Sequence, residues 1–176
     1  MQNRKKNSTV LVYPDKHLTT VCEEVTEFNE ELKELIETMK ESMKEYEGVG
    51  LSANQVGVCK RIFVMETEEG ETLTFVNPTI EEKNPTIIPT MEGCLSLPVV
   101  KAKLKIRSPA IIVEAYDVDG LPFKLALKGR DAVVAQHEEN HLCGITLFDL
   151  MTGVQKKLSK ERYLKLVKKA RRASAR

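Results

Sequence analysis

Apolar residues recur at helical spacing early in the chain, among charged residues that are mostly Glu and Lys. The apolar positions are Phe28, Leu32, Leu35, Ile36, Met39, Met43 and Tyr46. This period predicts an amphipathic helix with one face on a core. We expect the side chain of Asn29 to cap its start and Gly48 to end it.

Beyond this helix the apolar pattern changes to that of strands. Short segments rich in β-branched and aromatic residues have the sequences RIFVME, TLTFVNP, IIVEAYDV and FKLALK. The turn signals EEGE, NP and DVDG separate them. The pattern therefore predicts antiparallel strands joined in hairpins.

Two further helices are predicted in the last third of the chain. GRDAVVAQHEENHLCG predicts a helix from Asp131 to Leu142 that ends at Gly144, and its apolar AVVA stretch predicts burial. A strongly basic helix is predicted after Ser159. Together these elements predict an α+β fold in which antiparallel β-sheets surround a buried central helix.

Length and composition narrow the class of protein. The 176 residues suffice for one catalytic domain, residues 1–176, with residues 1–8 expected to be flexible and 156–176 expected to form a basic helix and tail. The net charge of +1 selects neither nucleic acid nor membrane as a partner. No apolar run approaches the ~18 residues that span a bilayer, and the widely spaced cysteines favour a reducing compartment. We therefore expect a cytoplasmic protein with no membrane partner, bacterial by default, with a phage or organelle origin as the alternatives.

The sequence QHEENH on the predicted buried helix is the strongest chemical signal. His137 and His141 lie four residues apart, so they share one helix face. Two histidines that are merely hydrogen-bonded in a core are the plain alternative. However, two of the three histidines of the chain fall here, and burying such polar groups is costly unless they have partners. A metal ion supplies those partners, so the motif favours a metal site.

The residues alone leave the third metal ligand open. Downstream of His141 the only acids are Asp149 and Glu161. Upstream, Cys94 lies in a predicted turn, where it could ligate a metal or be a small buried hydrophobe. A separate glycine-rich stretch, GVGLSANQVG, offers the amide of Gln55 as a hydrogen-bonding group, although a helix cap followed by a loop would explain its glycines.

Taken together, GVGLSANQ (48–55), EGCLS (92–96) and QHEENH (136–141) resemble, in this order, the three signature motifs of the peptide deformylases. VLVYPDKHL and AYDVDG are also similar to segments of that family, so the resemblance covers residues 9 to 155. It implies three metal ligands, Cys94, His137 and His141. It also implies that Glu138 is the catalytic acid and base, and that Gln55 and the backbone N–H of Leu95 stabilise the oxyanion.

The resemblance further implies one divalent metal ion, with iron(II) as the physiological ion. A thiolate with two imidazoles also suits Zn²⁺, Ni²⁺ or Co²⁺. The substrates implied are N-formylmethionyl peptides. We expect the methionine side chain to enter an apolar pocket, although ordinary core packing would also explain its valines. The expected pocket residues are Val49, Gly50, Gly93, Val133 and Val134.

The chain departs from the family pattern at a few positions. Ser52 stands where the first motif usually has alanine, Asn140 where an aspartate is frequent, and Lys101 near the place of a common arginine. A lysine keeps the charge but loses the planar fork of an arginine. The resemblance also implies an ion pair between Glu92 and Arg107.

These observations predict a monomeric hydrolase that removes the formyl group from the N-terminal formylmethionine of new polypeptides and releases formate. One alternative is a different amidase or peptidase with the same HExxH motif. Another is a nucleic-acid or ribosome-binding module that uses the basic tail and contains only a structural metal site. In the enzyme, the basic C-terminal helix is a candidate for binding the ribosome.

Overall fold

The structure is a computed structural model that describes residues 9–82 and 84–174. The expected flexibility of residues 1–8 concerns residues outside these ranges, and so does the end of the basic tail. None of the helices in the described ranges combines the length and apolar character that crossing a bilayer requires. In chain order the elements are a 3₁₀ helix at Lys16–Thr19, α1 (Glu30–Glu45), β1 (Gly50–Ser52), a 3₁₀ helix at Ala53–Val56, β2 (Ile62–Glu66), β3 (Thr72–Glu82), β4 (Ile88–Glu92), β5 (Ala102–Arg107), β6 (Ala110–Tyr116), β7 (Pro122–Lys128), α2 (Gly129–Leu142), α3 (Leu147–Leu150) and α4 (Gly153–Ser174).

The strands form two antiparallel sheets. Five of them make one sheet in the order β1-β2-β3-β6-β7, and β4 pairs with β5 in a separate hairpin. The sheets are combined with four α-helices rather than with parallel βαβ units. The predicted α+β class is therefore confirmed.

Strand β2 shows how the larger sheet is packed between two helices. Successive side chains of a strand point to opposite faces, and this strand is buried on both. Ile62 and Val64 belong to the apolar cluster that contains the buried face of α1. Phe63 and Met65 belong to the cluster that contains the buried residues of α2. Helix α2 is thus covered by the sheet, as its apolar sequence predicts.

A third apolar cluster connects the β4–β5 hairpin to the C-terminal helices. Leu97 and Leu104 pack there with Phe148, Met151 and Tyr163. The Tyr163 hydroxyl is buried with its ring and donates a hydrogen bond to the carbonyl of Tyr13 at 3.1 Å. The first half of α4 is therefore part of the folded body.

Two predicted boundaries were wrong. The last helix begins at Gly153, before Ser159, and the short helix α3 precedes it. The pair Asn77-Pro78 does not end a strand, because β3 continues through it with a shift in register between Val76 and Thr79. This irregularity places Asn77 at a φ of 51°, which Asn tolerates better than most residues.

The ends of α1 were predicted with mixed success. Asn29 caps the start as expected, because its Oδ1 accepts a hydrogen bond from the Leu32 N–H at 3.0 Å. At the other end Glu47, not Gly48, adopts the left-handed conformation, with φ at 54°. At Gly48 a Cβ would lie 2.7 Å from Cδ1 of Leu95, so a larger residue there would displace that side chain.

Candidate active site and metal centre

Helix α2 and the loop after β4 bring three possible metal ligands together. His137 and His141 lie one turn apart on α2, with ring centroids separated by 5.0 Å. Cys94 lies opposite them, and its Sγ is 3.1 Å from Nε2 of His141. One ligand atom from each of the three residues lies within 4.8 Å of the others. Among the described residues this is the only group of three or more His, Cys, Asp or Glu side chains with that geometry.

A buried ion pair orients one of the two imidazoles. Nδ1 of His137 is 3.0 Å from Oε2 of Glu92, so Nε2 of the same ring remains free to bind a metal. Arg107 donates from Nε and Nη2 to the two oxygens of Glu92, at 2.9 and 2.8 Å. Its Nη1 also donates to Oδ1 of Asn140 at 2.6 Å. At this departure from the family pattern, a hydrogen bond therefore stands in place of an ion pair.

The electrostatics of the cluster favour the ionised forms of Cys94 and Glu92. Burial raises the pKa of the Cys94 thiol, but the charge of His141 and hydrogen bonds from both imidazoles outweigh burial and lower it to about 6. Burial likewise raises the pKa of Glu92, but hydrogen bonds from His137 and Arg107 lower it to about 2. The site therefore stabilises a thiolate and a carboxylate near neutral pH.

The donor set fits a divalent transition metal. A thiolate with two imidazoles is a ligand set that Zn²⁺ and iron(II) accept, and three protein ligands leave a position for water. Nδ1 of His141 is buried without a hydrogen-bond partner in the described structure, whereas its Nε2 faces the Cys94 sulfur. Nε2 is accordingly the atom of this ring that is placed to ligate.

The alternative ligands are not part of this cluster. Oδ2 of Asp149 accepts hydrogen bonds from the Thr146 N–H at 3.1 Å and its hydroxyl at 2.8 Å, which caps α3. The other oxygen pairs with Lys156 at 3.0 Å. Glu161 is exposed on α4. Neither acid belongs to the group of possible ligands.

Two predicted catalytic side chains flank the cluster. Glu138 is buried on α2 and lines the cavity described below. Gln55 is buried in the 3₁₀ helix after β1, and its Oε1 accepts a hydrogen bond from the Ser52 N–H at 2.9 Å. This bond turns the amide NH₂ the other way, where it donates to Ser96 Oγ at 3.0 Å and lies 3.6 Å from Cys94 Sγ.

A cavity of about 400 Å³ opens beside Cys94 and His137. Leu95 lines it, as do all five residues predicted for substrate binding: Val49, Gly50, Gly93, Val133 and Val134. Lys101 also lines the cavity. A Cβ at Gly93 would lie 2.8 Å from Nζ of Lys101.

Two polar contacts to Glu138 and His141 were not predicted from the sequence. Ser52 donates to Glu138, and Asn54 Nδ2 donates to the carbonyl of His141 at 2.6 Å. Each bond joins residues more than eighty positions apart in the chain. The only signal in the sequence was the presence of Ser52 where the family usually has alanine.

The fold and the site together define a class of metal-dependent hydrolases. In this class an HExxH helix packs against an antiparallel sheet, and a carboxylate lies beside the possible metal ligands. Comparison with known proteins identifies the family within that class. The polypeptide deformylase profile matches residues 7–157. The chain belongs to the polypeptide deformylase family, so the resemblance found in its motifs and the expectation of an enzyme are confirmed.

Individual relatives match over nearly their whole length. A peptide deformylase of Aquifex aeolicus is 38% identical over 164 residues, which cover 90% of this chain and 96% of the relative. The structure of peptide deformylase from Plasmodium falciparum superposes with a TM-score of 0.83 at 35% identity, covering 93% of this chain and 97% of that one. The enzyme from Thermotoga maritima gives a TM-score of 0.79 at 38% identity, covering 82% and 97%.

Proposed function

We propose that this protein removes the N-formyl group from N-formylmethionyl peptides and releases formate. The observation that carries the proposal is the cluster of Cys94, His137 and His141 beside Glu138 on the wall of a cavity, in a member of the deformylase family. The chain forms one catalytic domain that acts as a monomer in the cytoplasm.

Cys94, His137 and His141 hold one divalent metal ion in this proposal. Iron(II) is the physiological ion, and Zn²⁺, Ni²⁺ or Co²⁺ can replace it because the same ligands suit them. When bound, the ion supplies Lewis acidity at the edge of the cavity. Glu92 and Arg107 keep the ring of His137 in the orientation and tautomer that leave Nε2 available.

Glu138 transfers the proton. Its carboxylate takes a proton from the water that attacks the formyl carbon and passes it to the amine as the C–N bond breaks. The products are formate and a free N-terminus. The NH₂ of Gln55 and the backbone N–H of Leu95 donate to the developing oxyanion, each worth ~3–4 kcal/mol if typical of such donors.

The cavity receives the methionine side chain. Val49, Val133 and Val134 give part of its wall an apolar character, while Gly50 and Gly93 let the substrate backbone approach closely. Lys101, on the same wall, places a positive charge where it can meet the carbonyl groups of a bound peptide.

The outer part of α4 binds the ribosome. Its inner positions are occupied, since Tyr163 is buried, Lys160 lies 5.2 Å from the ring centroid of Tyr13, and Lys156 pairs with Asp149. Other basic residues remain exposed: Lys157, Arg162, Lys165, Lys168, Lys169 and Arg172. Such a surface fits the phosphates of ribosomal RNA, with an affinity that falls steeply as salt rises.

Substitution of Glu138 by Gln tests the proposed chemistry. The variant should keep its metal, because the ligands are unchanged, while kcat for a formyl-Met peptide falls at least ~10²-fold through loss of the acid and base. The measurement is formate release by wild-type and variant protein loaded with the same metal. Near wild-type turnover in the loaded variant would refute the role of Glu138.

A further inference from the structure

Ser52 forms a short hydrogen bond to the proposed catalytic carboxylate. Its Oγ lies 2.6 Å from Oε2 of Glu138 and 3.0 Å from the carbonyl oxygen of the same residue. Ser52 is fully buried and Glu138 is 3% exposed, so water does not compete strongly for this bond. The single hydroxyl proton favours the shorter partner, because hydrogen bonds to ionised acceptors are the stronger ones.

Strand β1 is arranged so that two of its residues enclose this carboxylate. Side chains alternate along a strand, so Gly50 and Ser52 face α2 while Leu51 packs in the cluster with α1. A Cβ at Gly50 would collide with Oε1 of Glu138 and lie 2.9 Å from its Cδ. The serine thus holds one carboxylate oxygen, and the glycine leaves room for the other.

Ser52 also contacts the second proposed catalytic side chain, but through a different group. Its backbone N–H anchors the Gln55 side chain, whereas its hydroxyl bonds Glu138 and takes part in a capping box with the Gln55 backbone. Substituting the serine by alanine removes the hydroxyl and leaves the backbone donor in place. The hydrogen bond to the Gln55 side chain is therefore retained in the alanine variant.

We propose that Ser52 is a positioning residue for Glu138. Its hydroxyl fixes Oε2 and leaves Oε1, beside Gly50 on the cavity wall, as the oxygen that exchanges a proton with water. A glutamate has several rotatable bonds, so without this donor the carboxylate samples orientations that do not face the substrate. The inference rests on the proposed role of Glu138.

The variant Ser52→Ala tests this role, with Ser108→Ala as the matched control. Ser108 is equally buried, but its hydroxyl bonds the carbonyls of Asn84 and Ala110. In Ser52→Ala we expect kcat to fall ~10-fold, the scale of one hydrogen bond to a charged group, with KM and metal content unchanged. Ser108→Ala should keep wild-type kcat. A crystal structure of Ser52→Ala should show Glu138 in more than one orientation.

A double-mutant cycle separates positioning from a general structural effect. In a Glu138→Gln background, Ser52→Ala should cause no further loss of kcat, because the group that it positions has gone. An equal loss in both backgrounds would overturn the inference, as would unchanged kcat in Ser52→Ala while Glu138→Gln is impaired. Full activity of Glu138→Gln would instead overturn the proposed function. If Ser52→Ala does not fold, Ser52→Cys gives the same comparison with a similar shape and a weak donor.

Discussion

Arg107 donates two hydrogen bonds to the carboxylate of Glu92, one to each oxygen. Oε2 of the same carboxylate meets Nδ1 of His137. Both side chains of the pair are about 95% buried. The ring of His137 is thus oriented by a buried ion pair.

Replacing Glu92 by Gln should weaken metal binding. The neutral amide orients the imidazole less strongly, and such partners typically account for 10–100-fold in metal affinity, so we expect a loss of roughly that size. The dissociation constant is measured by competition with a chelator. Glu139→Gln is the matched control, because its carboxylate accepts from Cys143 rather than from a metal-site imidazole. Equal affinity in both variants would contradict the orienting role of Glu92.

Alanine at each of the proposed ligands should abolish stoichiometric metal binding. The variants are Cys94→Ala, His137→Ala and His141→Ala. Each should lose the metal because the two remaining ligands do not hold the ion under dilute conditions. Metal content after gel filtration is the measurement. Cys143→Ala serves as the control, since this partly buried cysteine lies outside the cluster. A Cys94→Ala protein with one metal equivalent and full activity would show that the ligand set is wrong.

How much of this site the sequence predicts depends on whether residues interact locally or across the fold. The two histidines follow from helical periodicity, and Cys94 follows from the family motif. The bond from Ser52 to Glu138 spans 86 positions, so it exists only once β1 lies on α2. No periodicity in the sequence encodes that contact.

The strands that were missed have a similar explanation. Strand β1 has three residues, including a glycine and a serine, so it lacks the composition of a strand. In β5, buried and exposed residues alternate until Ile106, where a bulge inserts an extra exposed residue. The bulge turns Arg107 inward toward Glu92. A partner strand, not local propensity, determines such irregularities.

The proposed binding of α4 to the ribosome can be tested by substitutions that leave the folded core intact. Deleting residues from 160 onward would remove the buried Tyr163, so charge reversal is the sharper change. We expect glutamate at Lys165, Lys168, Lys169 and Arg172 to weaken sedimentation with ribosomes at low salt, because counterion release is lost. Hydrolysis of a short formyl-Met peptide should stay within a few-fold of wild type.

The control for that experiment reverses the same number of exposed lysines elsewhere, at Lys44, Lys103, Lys105 and Lys128. Net charge then changes equally in both proteins. If both variants sediment with ribosomes as the wild type does at matched ionic strength, α4 is a solvated helix and does not bind them.

Asp149 should make stability depend on pH. Burial raises the pKa of its carboxyl, but hydrogen bonds from Thr146 and Lys156 outweigh burial and lower it below 3.8. Because the folded value is the lower one, the carboxylate stabilises the fold above pH 3.8, and this contribution is lost as pH falls through the folded pKa. Asp149→Asn should therefore cost ~1 kcal/mol of unfolding free energy at pH 7, the usual value of a helix cap.

The difference between wild type and Asp149→Asn should shrink at lower pH. Urea unfolding of both metal-free proteins at pH 7 and below pH 3.8 measures it. A difference that stays constant across this range would mean that the charge of Asp149 contributes nothing to stability.

The most direct test of the proposed function is formate release by protein loaded with one equivalent of a defined metal. The substrates are a formyl-Met peptide, its acetylated analogue and the same peptide with a free N-terminus. We expect one formate per formylated peptide, no reaction at internal amide bonds, and loss of activity when the metal is removed. Cleavage of internal amides, or no formate from the formylated peptide in the loaded protein, would contradict the assignment.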